Sequence, residues 1–244
     1  MHQEAELWIT RIFNDYLPAL GNFFLGLVGA HAEARPWANY VTMQILVALI
    51  IVALFAILRP RLSHDNPGKL QHTFELIYDF VNGQSDEQVG HGAAKYLSFF
   101  GTIFIFILFC NLIGIIPGFE SPTMYPAVPL GCAVATFLYY NAAGVMANGP
   151  FGYAKHFAGP IWWMAPLMIP IEIVSHLARP LSLTIRLYAN MYAGEQVTMV
   201  FLGLTYFLVP AIFMGLHVFV SLLQAYIFML LTMMYVSGAV AHEH

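Results

Sequence analysis

The chain has 244 residues, 59% of them hydrophobic and only 9% charged, with a mean hydropathy of +0.70 and a formal net charge of -4. That composition lies well beyond what a soluble domain of this length shows and marks an integral membrane protein. No block of Lys and Arg is present to neutralise phosphates, which excludes nucleic acid as a partner. Cys110 and Cys132 fall singly in apolar runs, with the spacing of neither a disulfide framework nor a metal site.

Residues 1–36 form an N-terminal segment. Arg11, the apolar run Leu17 to Val28 and the small residues Ala30 to Ala34 have some features of a cleaved signal, but Asp15 and Pro18 argue against one. The stretch Leu7 to Val28 is read instead as an interfacial helix or outside segment. A single membrane domain is expected over 37–244, built from runs of about 20 apolar residues, the length that crosses about 30 Å of hydrocarbon. The expected spans are 37–58, 96–116, 127–147, 161–204 and 206–240, giving an all-α polytopic protein of about five membrane segments. The third is bounded by Pro126, Pro129 and Asn148-Gly149-Pro150. The last two exceed one bilayer thickness and must tilt, kink or break, and the short connection from Gly203 to Pro210 lets them form an antiparallel hairpin. Between the first two spans, Leu70, Phe74, Ile77 and Val81 share one helical face, with Glu75 and Asp79 elsewhere, which predicts an amphipathic helix on the membrane surface. Arg59, Arg61, Lys69, Lys95 and Lys155 all fall in connections on one side, which the positive-inside rule makes cytoplasmic. The N-terminus is then outside and the C-terminal residues 241–244 are cytoplasmic.

The fourth span carries charges that need an explanation: Glu172, His176, Arg179, Arg186 and Glu195 lie in an otherwise apolar segment. Each Arg or acid at a helix centre costs roughly 2.5 to 3.5 kcal/mol on insertion scales. At about 100° per residue, Glu172, Arg179, Ser182 and Asn190 project within about 40° of Arg186, whereas Glu195 falls about 180° away. One polar stripe and a separate acidic surface are implied, with local bending expected at Pro180. In the last span His217, Ser221 and Gln224 recur at i, i+4, i+7 on one face. Three of these residues also have a plainer reading: Gln224 and His217 as interhelical hydrogen-bonding residues, Arg179 as a snorkelling cation or the structural partner of Glu172. Arg186 lies about 10 Å deeper than Arg179 and has no acid one turn away, which invites a partner from another chain.

The segment Arg186-Leu187-Tyr188-Ala189-Asn190-Met191-Tyr192-Ala193-Gly194-Glu195 resembles the Arg-Leu-Phe-Gly-Asn-Met segment of subunit a of the F-type ATP synthases, preceded by the similar Arg179-Pro180-Leu181-Ser182-Leu183. Leu223-Gln224-Ala225-Tyr226-Ile227-Phe228 and, more weakly, Asn111-Leu112-Ile113-Gly114 also resemble that family, from the first span to the C-terminus. The resemblance implies a proton-translocating stator subunit of the Fo sector in a bacterial inner membrane, with no catalysis of its own and no cofactor or metal. Its implied partners are the ring of c subunits, against which the last two helices lie, the subunit b peripheral stalk and the remaining synthase subunits. It further implies Arg186 as the cation facing the ring carboxylates, with Gln224 beside it. Asn190, Glu195, His217 and Asn111 go to the outside half-channel, and Glu172 and Ser182 to the cytoplasmic one. Tyr188 and Ala189 replace the usual Phe and Gly. Gly114, and a 121–126 loop without Asp or Asn, leave the outside entrance to other groups such as Glu120.

Two other classes compete. A secondary transporter draws support from Pro170 and Pro180, but the chain shows no inverted repeat and too few spans for two matched halves. A metal-dependent membrane enzyme is suggested only by the ten His, since no His-Glu-x-x-His is present.

Overall fold

The computed structural model describes residues 6–27, 29, 31–63, 68–90, 92–116, 118–158, 165–204 and 208–240. Their elements in order are helices α1 (Trp8–Tyr16), α2 (Pro18–Leu27), α3 (Asn39–Leu58), α4 (Lys69–Val89), α5 (Leu97–Ile113), α6 (Ala127–Ala158), α7 (Ala165–Leu204) and α8 (Leu208–Val240), with 3-10 turns at Arg59–Arg61, Ala93–Lys95 and Pro122–Met124. Expected residues 161–164, residues 205–207 of the 203–210 connection and the C-terminal 241–244 lie outside the described residues.

Among the described residues three helices are long and apolar enough to cross a membrane, Asn39–Leu58, Ala127–Gly149 and Val209–Val240, and Leu97–Ile113 is a shorter apolar helix. The second span is thus shorter than expected, because the chain leaves the helix at Gly114. α6 changes direction at Gly149, whose φ of 71° and ψ of 163° suit a residue without a Cβ, and Pro150 restarts the helix to Ala158. α7 runs for 40 residues with Pro170 and Pro180 inside it. At 1.5 Å per residue it is about 60 Å long, twice the hydrocarbon thickness, so it crosses obliquely or extends beyond the bilayer.

The interior lies where α5, α6, α7 and α8 meet. Phe100, Ile107, Ala133, Tyr140, Leu187, Met191, Ala225, Met229 and Met233 are buried there. Val47 of α3 joins through a smaller cluster with Cys110 and Ile113. The N-terminal helices are tied to the start of α3: Thr10 and Thr42 hydroxyls lie 2.6 Å apart, Asn14 donates to the Trp37 carbonyl at 3.1 Å and accepts from its N–H at 2.9 Å, and Trp37 Nε1 donates to Leu17 at 2.8 Å. Leu17 separates α1 from α2, so the expected single stretch is two helices broken before Pro18.

α4 is longer than the sequence pattern indicated and its buried face is rotated. Gln71, Val81 and Ser85 are buried, with Phe74 and Ile77 partly so, whereas Leu70 is exposed. The inward place expected for Leu70 is taken by Gln71, which exchanges hydrogen bonds of 3.0 and 2.9 Å with the Ser63 backbone. α4 packs against α5 and α8, where Phe80 meets Phe104 and Tyr226, and the Tyr226 hydroxyl donates to Gln84 at 3.1 Å.

Candidate functional site

α7 and α8 form the expected antiparallel pair, and four contacts fix its register. Phe201 stacks on Phe213 at 4.1 Å, Gly194 lies against the His217 ring, the Ser221 hydroxyl donates to the Met191 sulfur at 3.8 Å, and the Arg179 guanidinium stands 5.3 Å from the centre of the Tyr235 ring. The two helices therefore stay in step from 201 to 179, about 33 Å of helix at the standard rise, or one hydrocarbon thickness. Interpolation between these contacts puts Gln224 across from the turn holding Arg186 and Tyr188.

The predicted division of α7 into two polar surfaces is present. Ser182 and Arg186 are exposed, Glu172, Arg179 and Asn190 are intermediate, and Glu195 is buried on the other side. Among the described residues nothing pairs with the Arg186 guanidinium. Large apolar side chains are exposed along both helices: Ile173, Leu177, Leu181 and Ile185 on α7, and Leu216, Phe219 and Leu222 on α8.

Polar groups gather at two places, one on each side of Arg186. Toward the 118–126 loop, Asn190, Gly194, Thr198 and His217 line a cavity of about 210 Å³ between α7 and α8. His217 is buried there with Nε2 bonded to no described residue. Glu195 does not line that cavity and lies within electrostatic reach of Glu120, whose carboxylate also accepts from the Tyr125 hydroxyl at 2.9 Å. Asn111, fully buried, donates to the Ser221 carbonyl at 3.1 Å and accepts from the Thr123 hydroxyl at 2.7 Å. The Ser121 hydroxyl in turn donates to the Cys110 carbonyl at 2.9 Å. These bonds join α5, the 122–124 turn and α8 beside the buried face of α7.

Toward the end that carries Lys95, Glu172 and Arg179 pair at 3.6 Å over a cavity of about 260 Å³, whose walls include Tyr153, His176 and Tyr235. Sequence reasoning did not single out the α6 residues beneath it. The Tyr153 hydroxyl donates to Asn141 Oδ1 at 2.8 Å, and the same oxygen lies 2.9 Å from His176 Nε2. The available signal was Asn141 inside an apolar run, an expensive residue to leave without a partner in a membrane. Ser182, assigned by the resemblance to this side, does not line this cavity and is exposed, as Arg186 is. Among the described residues no group of three His, Cys, Asp or Glu is placed to hold a metal ion.

The fold and these two polar clusters define a polytopic α-helical membrane protein with ionisable groups inside its longest helix pair. Residues 41–237 match the family model described as ATP synthase A chain. The chain is 72% identical to ATP synthase subunit a of Solibacter usitatus over 96% of its length and 100% of that protein, and 49% identical to the subunit of Koribacter versatilis over 98% of each. It is 41% identical to that of Geobacter sulfurreducens, over 87% of this chain and 91% of that one. It belongs to the ATP synthase subunit a family.

Proposed function

We propose that this chain, as the proton-translocating stator subunit of the Fo sector, passes protons through two half-channels that are kept apart by Arg186. The observation that carries the reading is Arg186 itself: an exposed, permanently charged side chain in a largely apolar helix, without a partner among the described residues, between two polar clusters. A cation costing roughly 2.5 to 3.5 kcal/mol to insert is retained where a passing carboxylate on a neighbouring chain compensates it. At 4 Å and an effective dielectric constant near 20, such a pair gains about 4 kcal/mol, enough to shift a carboxylate's ionisation by about three orders of magnitude. The guanidinium keeps its proton at any working pH, so it favours the ionised form of the carboxylate opposite it yet cannot itself pass a proton on.

The partner that fits this face is the c-subunit ring, turning against the outer surface of α7 and α8. Glu195, His217, Asn190 and Asn111 serve the half-channel at the 118–126 end, and Glu172 and Ser182 serve the other. The positive-inside rule, applied to Arg59, Lys69 and Lys95, supports the cytoplasmic side of a bacterial inner membrane for the latter. The subunit b stalk and the remaining synthase subunits complete the assembly, and nucleotide chemistry belongs to them.

ATP-driven acidification of inverted vesicles carrying Arg186→Ala, with assembly checked by co-purification and ATP hydrolysis assayed alongside, tests the reading. The expected result is an assembled complex that no longer pumps. Pumping near wild type would overturn it and return weight to an ion-coupled transporter.

A further inference from the structure

We propose that His176 is a proton-binding residue of the cytoplasmic half-channel, held in one tautomer by Asn141 and passing protons between the cavity under the Glu172–Arg179 pair and the path to Arg186. The proposal rests on the half-channel reading above and adds a group that this reading does not use.

Asn141 settles the chemistry of the imidazole. Its Nδ2 donates to the Phe137 carbonyl at 2.6 Å, and this fixes which way the amide points. Reversing the amide would set two oxygens against each other, so Oδ1 faces His176 and Tyr153. An amide oxygen only accepts, so the His176 nitrogen 2.9 Å away, Nε2, carries a hydrogen and donates it. In the neutral ring, Nδ1 is then the basic nitrogen and the site at which a proton adds. The Tyr140 hydroxyl lies 3.4 Å from Nδ1 and 3.3 Å from Nε2, off the edge between them, and the Phe137 and Tyr140 rings stand edge-on to the imidazole at 5.0 and 5.2 Å. These contacts hold the ring at a fixed angle in the cavity wall.

The surroundings suit a group that gains and loses charge. The ring is 8% exposed, yet it borders a cavity of about 260 Å³, several times the ~30 Å³ that one water occupies in the liquid. Among the described residues, the ionisable groups facing it are Tyr140 and Tyr153 from α6, Glu172 and Arg179 from α7, and Tyr235 from α8. Glu172 and Arg179 act on it with opposite sign. In pumping, Nδ1 takes a proton from cavity water and becomes an imidazolium whose Nε2–H still points at Asn141. It then releases that proton from Nδ1 to the water or carboxylate next on the path, and no other bond changes. His176 is ten residues from Arg186, about 15 Å along the helix, so it works at the cavity and not at the ring.

The test measures ATP-driven pumping in vesicles bearing the whole synthase as the pH on the cytoplasmic side is varied, for wild type, His176→Gln and His176→Ala. Glu172→Gln is the control for the half-channel itself. Gln keeps a donor for Asn141 but cannot carry a proton. The expected result is assembled His176→Gln complexes that pump severalfold more slowly at alkaline cytoplasmic pH and approach wild type at acid pH. Unchanged pumping and pH profile in His176→Gln, with Glu172→Gln impaired, would overturn the role of His176 and leave the half-channel standing. Loss at all pH values in His176→Ala that His176→Gln fully restores would show a packing role and overturn the proposal as well. If Glu172→Gln pumps normally too, the half-channel reading fails with it.

Discussion

Gly194 leaves no room for a side chain: a Cβ there would stand 2.5 Å from Nδ1 of His217. The imidazole is buried and the glycine sits on a rigid helix pair, so Gly194→Ala forces the ring out of the small cavity it shares with Asn190. The expected outcome is severalfold slower pumping by a complex that still assembles, measured as acidification rate per unit of ATP hydrolysed. Wild-type coupling in this variant would remove His217 from the proton path. At Asn111 the stake is stability. Replacing it with Leu strips the Ser221 carbonyl and the Thr123 hydroxyl of their buried partner. Bonds of this kind contribute about 0.6 to 2 kcal/mol in membranes, so a lower melting temperature of the detergent-solubilised complex is expected.

At the level of elements, the helix pairs were largely legible because cost and period reveal them. A cation such as Arg186 inside an apolar run is conspicuous, and the 3.6-residue period separates it from Glu195 without any coordinates. The hairpin register was not legible, since it is set by single contacts such as Phe201 on Phe213 and Gly194 under His217, and hydropathy carries no trace of them. Leu70 illustrates a different limit. Leu and Gln71 sit on adjacent faces of α4, and hydropathy favours Leu for burial, but the Ser63 backbone claims the Gln71 amide and turns the helix. The α6 residues Asn141 and Tyr153 escaped notice because their partners lie on α7 or one kink away. Gly144 is the packing counterpart of that kink: a Cβ would stand 2.5 Å from the Tyr153 ring and 3.0 Å from the Ala239 carbonyl. Gly144→Ala is therefore expected to wedge α6 from α8 and cost about 1 to 3 kcal/mol, read as a lowered unfolding midpoint in detergent.

Across the whole molecule, the basic connections and the polar loop divide the protein into two ends about one bilayer apart. Orientation is checked with an impermeant thiol reagent, since Cys110 and Cys132 are buried and contribute little background. Cysteine in place of exposed Lys69 is expected to be labelled from the cytoplasmic side, and in place of exposed Glu33 from the outside. The reverse pattern would exchange the two half-channels.

The claim that Arg186 separates two half-channels is tested most directly by passive proton flux through Fo whose ring is cross-linked to this chain so that it cannot turn. With Arg186 in place, the locked complex should hold a pH gradient, because a proton reaching the ring carboxylate from one side meets a fixed cation that passes nothing on. In Arg186→Ala the locked complex should leak, the carboxylate now exchanging with both cavities. A locked Arg186→Ala complex as tight as wild type would contradict the account.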